Sequence, residues 1–297
     1  MYILDTSAVR GISRVKLEAA KKSLDPAISP LTFYELLCHL DEVDGDKTFA
    51  RQKGHVMKCQ IPRILHDPFA YHVITVGAVH VANPSRFEDP GIITQLMEKL
   101  GEAKSLDEFY SATVSYSDGT NAKCRDVVAR VRKVLDAEEK KYIKHLGAIR
   151  SELLAIYSNC ASTGITPQEL GEYLAASLKT MIAGYRDKDG ISDDCLEIKV
   201  VSSMYMHLGY DAVRTAKYLQ VAHTQGCTFK PDPNDCEDSY IAIYLELFNR
   251  DVLVTEDLGS RNALNVTKEA FRLFFKGAFQ IESQVISNKE FEDSIQN

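Results

Sequence analysis

The sequence predicts an α/β fold: a parallel-sheet core with helices on both faces, interrupted by a large, mostly helical insertion. Three observations carry this expectation. An apolar strand begins at Met1 and stops at Asp5. Strand–helix texture returns near Cys227, and the stretch between is dominated by helix starts. Residues 1–48 and 228–297 are therefore expected to form one discontinuous core, and residues 49–227 an insertion that binds substrate or a partner.

Composition narrows the class. The 297 residues are 45% hydrophobic and 26% charged, which fits a globular chain. A net charge of -7 supplies no global basic field, so any nucleic acid must be met by a local patch. The longest apolar stretch, Tyr71–Ala82, is broken by His80 and is too short for a bilayer, so no membrane partner is expected. A strand at the first residue leaves no room for a leader peptide. Seven scattered cysteines without a C-x-x-C pair read as reduced, mostly buried thiols of a cytoplasmic protein.

In chain order, Ala8–Leu24 spaces Val9, Ile12, Val15, Leu17 and Ala20 as a helix would, and Asp25-Pro26 ends it. Ala27-Ile28 reads as a second strand. Ser29-Pro30 opens a helix with Leu31, Tyr34, Leu37 and Leu40 on one face, and Thr32-x-x-Glu35 offers that helix a capping box. From Lys47 the alternation stops, and His72–Val76 is strand-like within loop-like sequence. Asp89-Pro90 and Ser105-x-x-Glu108 start helices, Asp118-Gly119 breaks the pattern, and Asn121 begins a helical stretch to Tyr157. Thr166-Pro167-Gln168-Glu169 starts a helix running to about Tyr185. Asp187–Gly190 is a turn, because Tyr185 and Leu196 stand where a calcium loop needs oxygen ligands. Two helices, Ser192–Leu208 and Asp211–His223, close the middle.

Asp235 leads into a helix reaching about Asn249, apolar nearly all round and therefore expected to be buried. Val252–Val254 is a short buried strand with Thr255-Glu256-Asp257 at its carboxyl end. A short helix near Ser260–Asn265 follows, then an alternating edge strand within Ala278–Ile286, and a polar tail from Asn288.

Four acids stand at comparable places. Asp5 and Asp257 follow strands directly, and Glu35 and Asp238 sit in first turns of helices. Each has a local explanation as a turn, cap or dipole partner. Those explanations do not account for four acids at one expected sheet edge, the edge where open α/β sheets bind ligands. Gathered carboxylates repel unless a cation offsets them. Mg²⁺ takes oxygen ligands at about 2.0–2.1 Å. Paired ions roughly 3.5–4 Å apart serve phosphodiester hydrolysis.

At these residues the sequence resembles the PIN-domain nuclease family. The matching pieces are "ILDTSAV" at Ile3–Val9, "ISPLTFYELL" at Ile28–Leu37, "EDSYIAIYLEL" at Glu237–Leu247 and "VLVTEDL" at Val252–Leu258. The resemblance implies a PIN-like core and an endoribonuclease that cleaves phosphodiester bonds by metal-activated water. Asp5, Glu35, Asp238 and Asp257 would then be both the catalytic residues and the holders of Mg²⁺ or Mn²⁺. Thr255 takes the family's frequent hydroxyl position, and Asp235, Glu237, Thr6 and Ser7 are accessory candidates. The resemblance covers only the terminal segments; compact family members lack such an insertion, which leaves the substrate and biological role open.

The best match for a polyanion is Lys123–Arg150, with nine basic residues against four acidic ones. Lys123, Arg125, Arg130, Arg132, Lys133, Lys140, Lys141 and Lys144 are its candidate nucleic-acid contacts, for RNA ahead of DNA. A solvated helix face with internal ion pairs explains the same residues. Two other functions remain in view: a non-catalytic PIN-like scaffold whose insertion binds a partner or inhibitor protein or RNA, and a structure-selective DNA nuclease. A haloacid-dehalogenase-type phosphatase needs a second acid where Ser7 stands. Oligomeric state has no signal in the sequence.

Overall fold

The computed structural model describes residues 1–42, 48–77, 90–187 and 195–295. In chain order these form β1 (Tyr2–Leu4), α1 (Thr6–Gly11), α2 (Arg14–Ser23), β2 (Pro26–Ile28), α3 (Pro30–Cys38), α4 (Phe49–Lys58), β3 (Arg63–Ile64), α5 (Pro68–Val76) and α6 (Pro90–Glu102). There follow α7 (Leu106–Ser111), β4 (Thr113–Ser115), β5 (Asn121–Lys123), α8 (Cys124–Ile156), α9 (Cys160–Thr163), α10 (Pro167–Asp187) and α11 (Leu196–Gln225). The chain ends with α12 (Asp235–Ile241), β6 (Val252–Val254), α13 (Leu258–Phe274), β7 (Gln284–Ile286) and α14 (Asn288–Ser294). The fold is α/β, with parallel strand pairing and many helices. The described residues group into two compact units, one from 1–67, 83–137 and 287–297, the other from 68–82 and 138–286.

In the first unit β2 lies between β1 and β3, all parallel, with Ile3 opposite Ala27 and Ile28 opposite Ile64. The single helix expected over 8–24 is two helices. Ser13 breaks it, because its side chain accepts from Lys16 N and starts α2 afresh. Lys58 Nζ donates to the carbonyls of Val9 (2.9 Å) and Arg10 (3.0 Å), satisfying the end of α1. Asn121 does not begin the long helix. Residues Asn121–Lys123 pair antiparallel with β4 around a turn where Gly119 adopts φ +84 and Asp118 accepts from Thr120 N. The expected polar tail is helix α14, started by a Ser287/Glu290 capping box and anchored by buried Phe291 against Tyr2.

In the second unit β6 and β7 pair in parallel, Leu253 opposite Val285, and β7 holds only the last three residues of the expected strand. His72–Val76 is not a strand but the end of α5. Pro68 opens that helix, and Pro68, His72 and Val76 are buried at helical spacing on one face. The capping box before α10 forms, with Thr166 N donating to Glu169 Oε2 (2.8 Å) and Glu169 N to Thr166 Oγ1 (3.3 Å). The two helices expected between 192 and 223 are one continuous α11. Gly209 serves close packing within it, since a Cβ there would stand 2.1 Å from Thr267 Cγ2 on α13. Helix α12 is shorter than expected, passing at Ala242 into a 3₁₀ turn, whereas α13 is much longer, at 17 residues. Of the Asp187–Gly190 turn, residues 188–190 lie outside the described residues, as does Asp89. No helix among the described residues is long and apolar enough to cross a membrane.

Candidate functional site

The first unit places Asp5 directly after β1, buried, as the N-cap of α1. Its Oδ1 accepts from Ala8 N (2.7 Å) and Ser7 Oγ (2.8 Å). The neighbouring Thr6 donates its hydroxyl to Glu35 Oε2 at 2.6 Å, which ties Glu35 on α3 to the segment that carries Asp5. The capping box expected of Glu35 does not form. Ser29 caps α3 through Leu31 N, and Thr32 Oγ1 is buried with no hydrogen-bond partner among the described residues. One turn beyond Glu35, His39 Nε2 lies 3.7 Å from Glu35 Oε1. Hydrogen bonding to Glu35 holds the His39 pKa above its ordinary value despite partial burial.

The second unit places Asp257 just past β6, exposed, capping α13 through Ser260 N at 2.6 Å. Thr255 Oγ1 accepts from Asp257 N at 3.0 Å and fixes the turn that presents it. Asp238, half-buried on α12, receives the Ser260 hydroxyl at Oδ2. One serine thus links two of the four acids. Behind it stands Tyr210 of α11, whose hydroxyl is 3.2 Å from Ser260 Oγ, 3.3 Å from Asp238 Oδ2 and 3.4 Å from Asp235 Oδ1. Burial, then the charges of Asp238 and Asp235, push the Tyr210 phenol well above its usual pKa.

Asp235 is differently employed. Arg214 holds it with two nitrogens, Nε at 2.7 Å and Nη2 at 2.6 Å, and the Tyr218 hydroxyl adds a third donor at 2.6 Å. Burial opposes the Arg214 charge, but the hydrogen bonds and charge of Asp235 outweigh it and raise the pKa further. Burial and the Asp235 carboxylate push Tyr218 up to about 12. Asp235 is therefore half of a structural ion pair. Glu237 is half-buried on the same helix. A Cβ at position 259 would approach Arg214 Nη1 to 2.6 Å and Asp257 Oδ1 to 3.0 Å.

Sequence reasoning missed Tyr210, Arg214, Tyr218 and Ser260. The first three recur every fourth residue, a spacing that puts them on one face of α11. Ser260 carried no signal beyond following Asp257 by three. Several basic candidates have internal partners. Arg132 donates to Asp41 (3.0 Å) and to the Cys38 carbonyl (2.6 Å), Arg130 lies over the Tyr116 ring, and Arg125 lies over that of Tyr110. Lys141 pairs with Glu138 at 2.7 Å, while Lys123, Lys133, Lys140 and Lys144 are exposed.

Asp5 and Glu35 are thus associated in one unit and Asp238 and Asp257 in the other. Both pairs offer only oxygen donors, carboxylates with hydroxyls beside them, a donor set suited to a hard divalent cation. Among the described residues no group of three or more His, Cys, Asp or Glu side chains is gathered as a metal site. No family model, no curated protein and no solved structure matches the chain.

Proposed function

We propose that the chain is a Mg²⁺- or Mn²⁺-dependent phosphodiester hydrolase, an endoribonuclease of PIN-like type, with Asp5, Glu35, Asp238 and Asp257 holding the metal. The observation that carries the reading is the link from Asp238 through Ser260 to Asp257. Two motifs that the resemblance picks out separately meet at one residue. The tie from Thr6 to Glu35 supports it in the same way.

A bound divalent cation supplies charge neutralisation at the phosphate and an acidified water. The chain's own residues do the rest. Thr6 orients Glu35, Thr255 fixes the turn before Asp257, and Ser260 orients Asp238 and Asp257. Exposed Lys140 and Lys144 offer cations to phosphates.

The test is cleavage of pooled RNA oligonucleotides, beside single- and double-stranded DNA, with Mg²⁺, Mn²⁺ or EDTA. RNA cleavage that needs the metal and disappears in Asp5→Asn and Asp257→Asn is the expected result. Cleavage of DNA alone makes the substrate DNA. The internal partners of Arg125, Arg130, Arg132 and Lys141 favour a second reading, a scaffold that engages a protein partner. Under that reading no nucleic acid is cut with any metal. Replacing Lys140 and Lys144 by Gln lowers the salt dependence of single-strand binding by about 0.7 in log–log slope per lost phosphate contact. An unchanged slope takes these lysines out of the interface.

A further inference from the structure

We propose that Ser260 is a positioning residue, setting the orientation in which Asp238 and Asp257 meet a divalent cation, with Tyr210 holding its hydroxyl from behind. The inference rests on the metal-dependent reading above. Ser260 is 2% exposed and Tyr210 0% exposed, so water does not substitute for either hydroxyl. Serine has one hydroxyl proton. Asp238 Oδ2 is an acceptor only and makes the shortest contact, so that proton goes to Asp238. The Ser260 oxygen is left to accept from Tyr210 at 3.2 Å. Asp235 is already supplied by Arg214 and Tyr218, which leaves the Tyr210 proton for Ser260 or Asp238. Either choice polarises the chain of hydroxyls toward Asp238.

The backbone of the same serine fixes the second acid, because Ser260 N donates to Asp257 Oδ1 at 2.6 Å. Both carboxylates are thereby referred to the first turn of α13, whose inner face carries buried Ala263, Leu264 and Phe271. Two carboxylates without a cation repel. The hydroxyl and the N–H restrain both in its absence, so less ordering remains when a cation arrives. Hydrogen-bond partners of metal ligands typically contribute 10–100-fold in metal affinity or activity.

A purely structural Ser260, a helix-turn hydroxyl satisfied inside the fold, accounts for the same bonds, and metal affinity separates the two. The measurement is a Mn²⁺ titration of the full chain without RNA, read by melting temperature and by calorimetry. The variants are Ser260→Ala, Ser260→Thr and Tyr210→Phe, with a parallel cleavage assay. In Ser260→Ala the half-saturating Mn²⁺ concentration rises by about 10–100-fold. It rises less in Tyr210→Phe and returns toward the parent value in Ser260→Thr, and cleavage at saturating metal changes less than the midpoint. A Ser260→Ala chain that melts lower in EDTA yet keeps the parent midpoint overturns the proposal. If that variant does not fold, Tyr210→Phe decides by the same criterion, since it keeps the ring and loses one hydroxyl. A parent chain that neither binds Mn²⁺ nor cuts removes the metal-dependent reading itself, an outcome visible before any variant is made.

Discussion

The second unit contains two kinds of aspartate. Asp211 is 0% exposed and receives Tyr142 at 3.0 Å, Ser239 at 2.6 Å and His145 at 3.2 Å. Asp235 is 5% exposed and receives Arg214 and Tyr218. Asp238 and Asp257 are more open to solvent; Asp238 receives the Ser260 and Tyr210 hydroxyls, and Asp257 receives the Ser260 N–H. Asp238 and Ser239 are neighbours on one helix, yet Ser239 serves the buried set and Asp238 the open one. A carboxylate matched by cations or several donors is part of the frame.

The sharpest way to break that contrast is at the frame. Arg214→Met leaves Asp235 buried and unmatched, and urea unfolding should show a loss of about 3–5 kcal/mol. Arg214→Met with Asp235→Leu recovers most of it. A loss below about 1 kcal/mol would rank the pair with ordinary surface ion pairs. The reverse is expected at Asp257→Asn. Asparagine caps about as well as aspartate, so stability changes by less than about 0.5 kcal/mol. Under the proposed metal-dependent reading, cleavage falls by at least about 100-fold, the upper end of what losing a ligand's hydrogen-bond partner costs. Asp211→Asn inverts this, losing about 1–3 kcal/mol of stability, with the proposed cleavage by the folded fraction unchanged.

Gly209→Ala tests the packing that brings α11, with Tyr210 and Arg214, against α13. The new methyl collides with Thr267, and a loss of about 1–3 kcal/mol is expected from thermal or urea melts. The smallest effect is at His145. Its hydrogen bond to Asp211 raises its pKa above the ordinary 6.5 against opposing burial, with Asp211 and Glu152 as the acidic neighbours. The folded chain then binds the proton more tightly than the unfolded chain. Its stabilisation is full below about pH 6.5 and fades as pH rises through the raised value. The side chain is 47% exposed, so the contribution stays below about 1 kcal/mol, and His145→Gln flattens that part of the stability–pH curve.

Much of the local structure was legible because its causes are local. Ser29-Pro30, Ser105, Thr166-Pro167 and Asp257 each start a helix through their own side chains or ring. The misreadings have tertiary causes or competing local ones. His72–Val76 looked like a strand from its β-branched residues, but Pro68 and a buried face at helical spacing settled a helix. The two helices expected on either side of residues 209–210 are one, with Gly209 packed against Thr267 inside it. Asn288–Ser294 looked like a tail because a single apolar residue, Phe291, anchors it.

At the candidate site, the sequence by itself determined the four acids, their hydroxyl neighbours Thr6 and Thr255, and the strand ends and helix starts that carry them. These follow from residue type and spacing within a few positions. Only the tertiary structure decided which acids are framework and which are open. That depends on donors far off in sequence: Arg214 and Tyr218 for Asp235, Tyr142, His145 and Ser239 for Asp211, Ser260 for Asp238. A carboxylate's role is set by what surrounds it within about 3 Å, the reach of a hydrogen bond. Sequence spacing fixes that neighbourhood within one turn of helix, whereas packing fixes it across the fold.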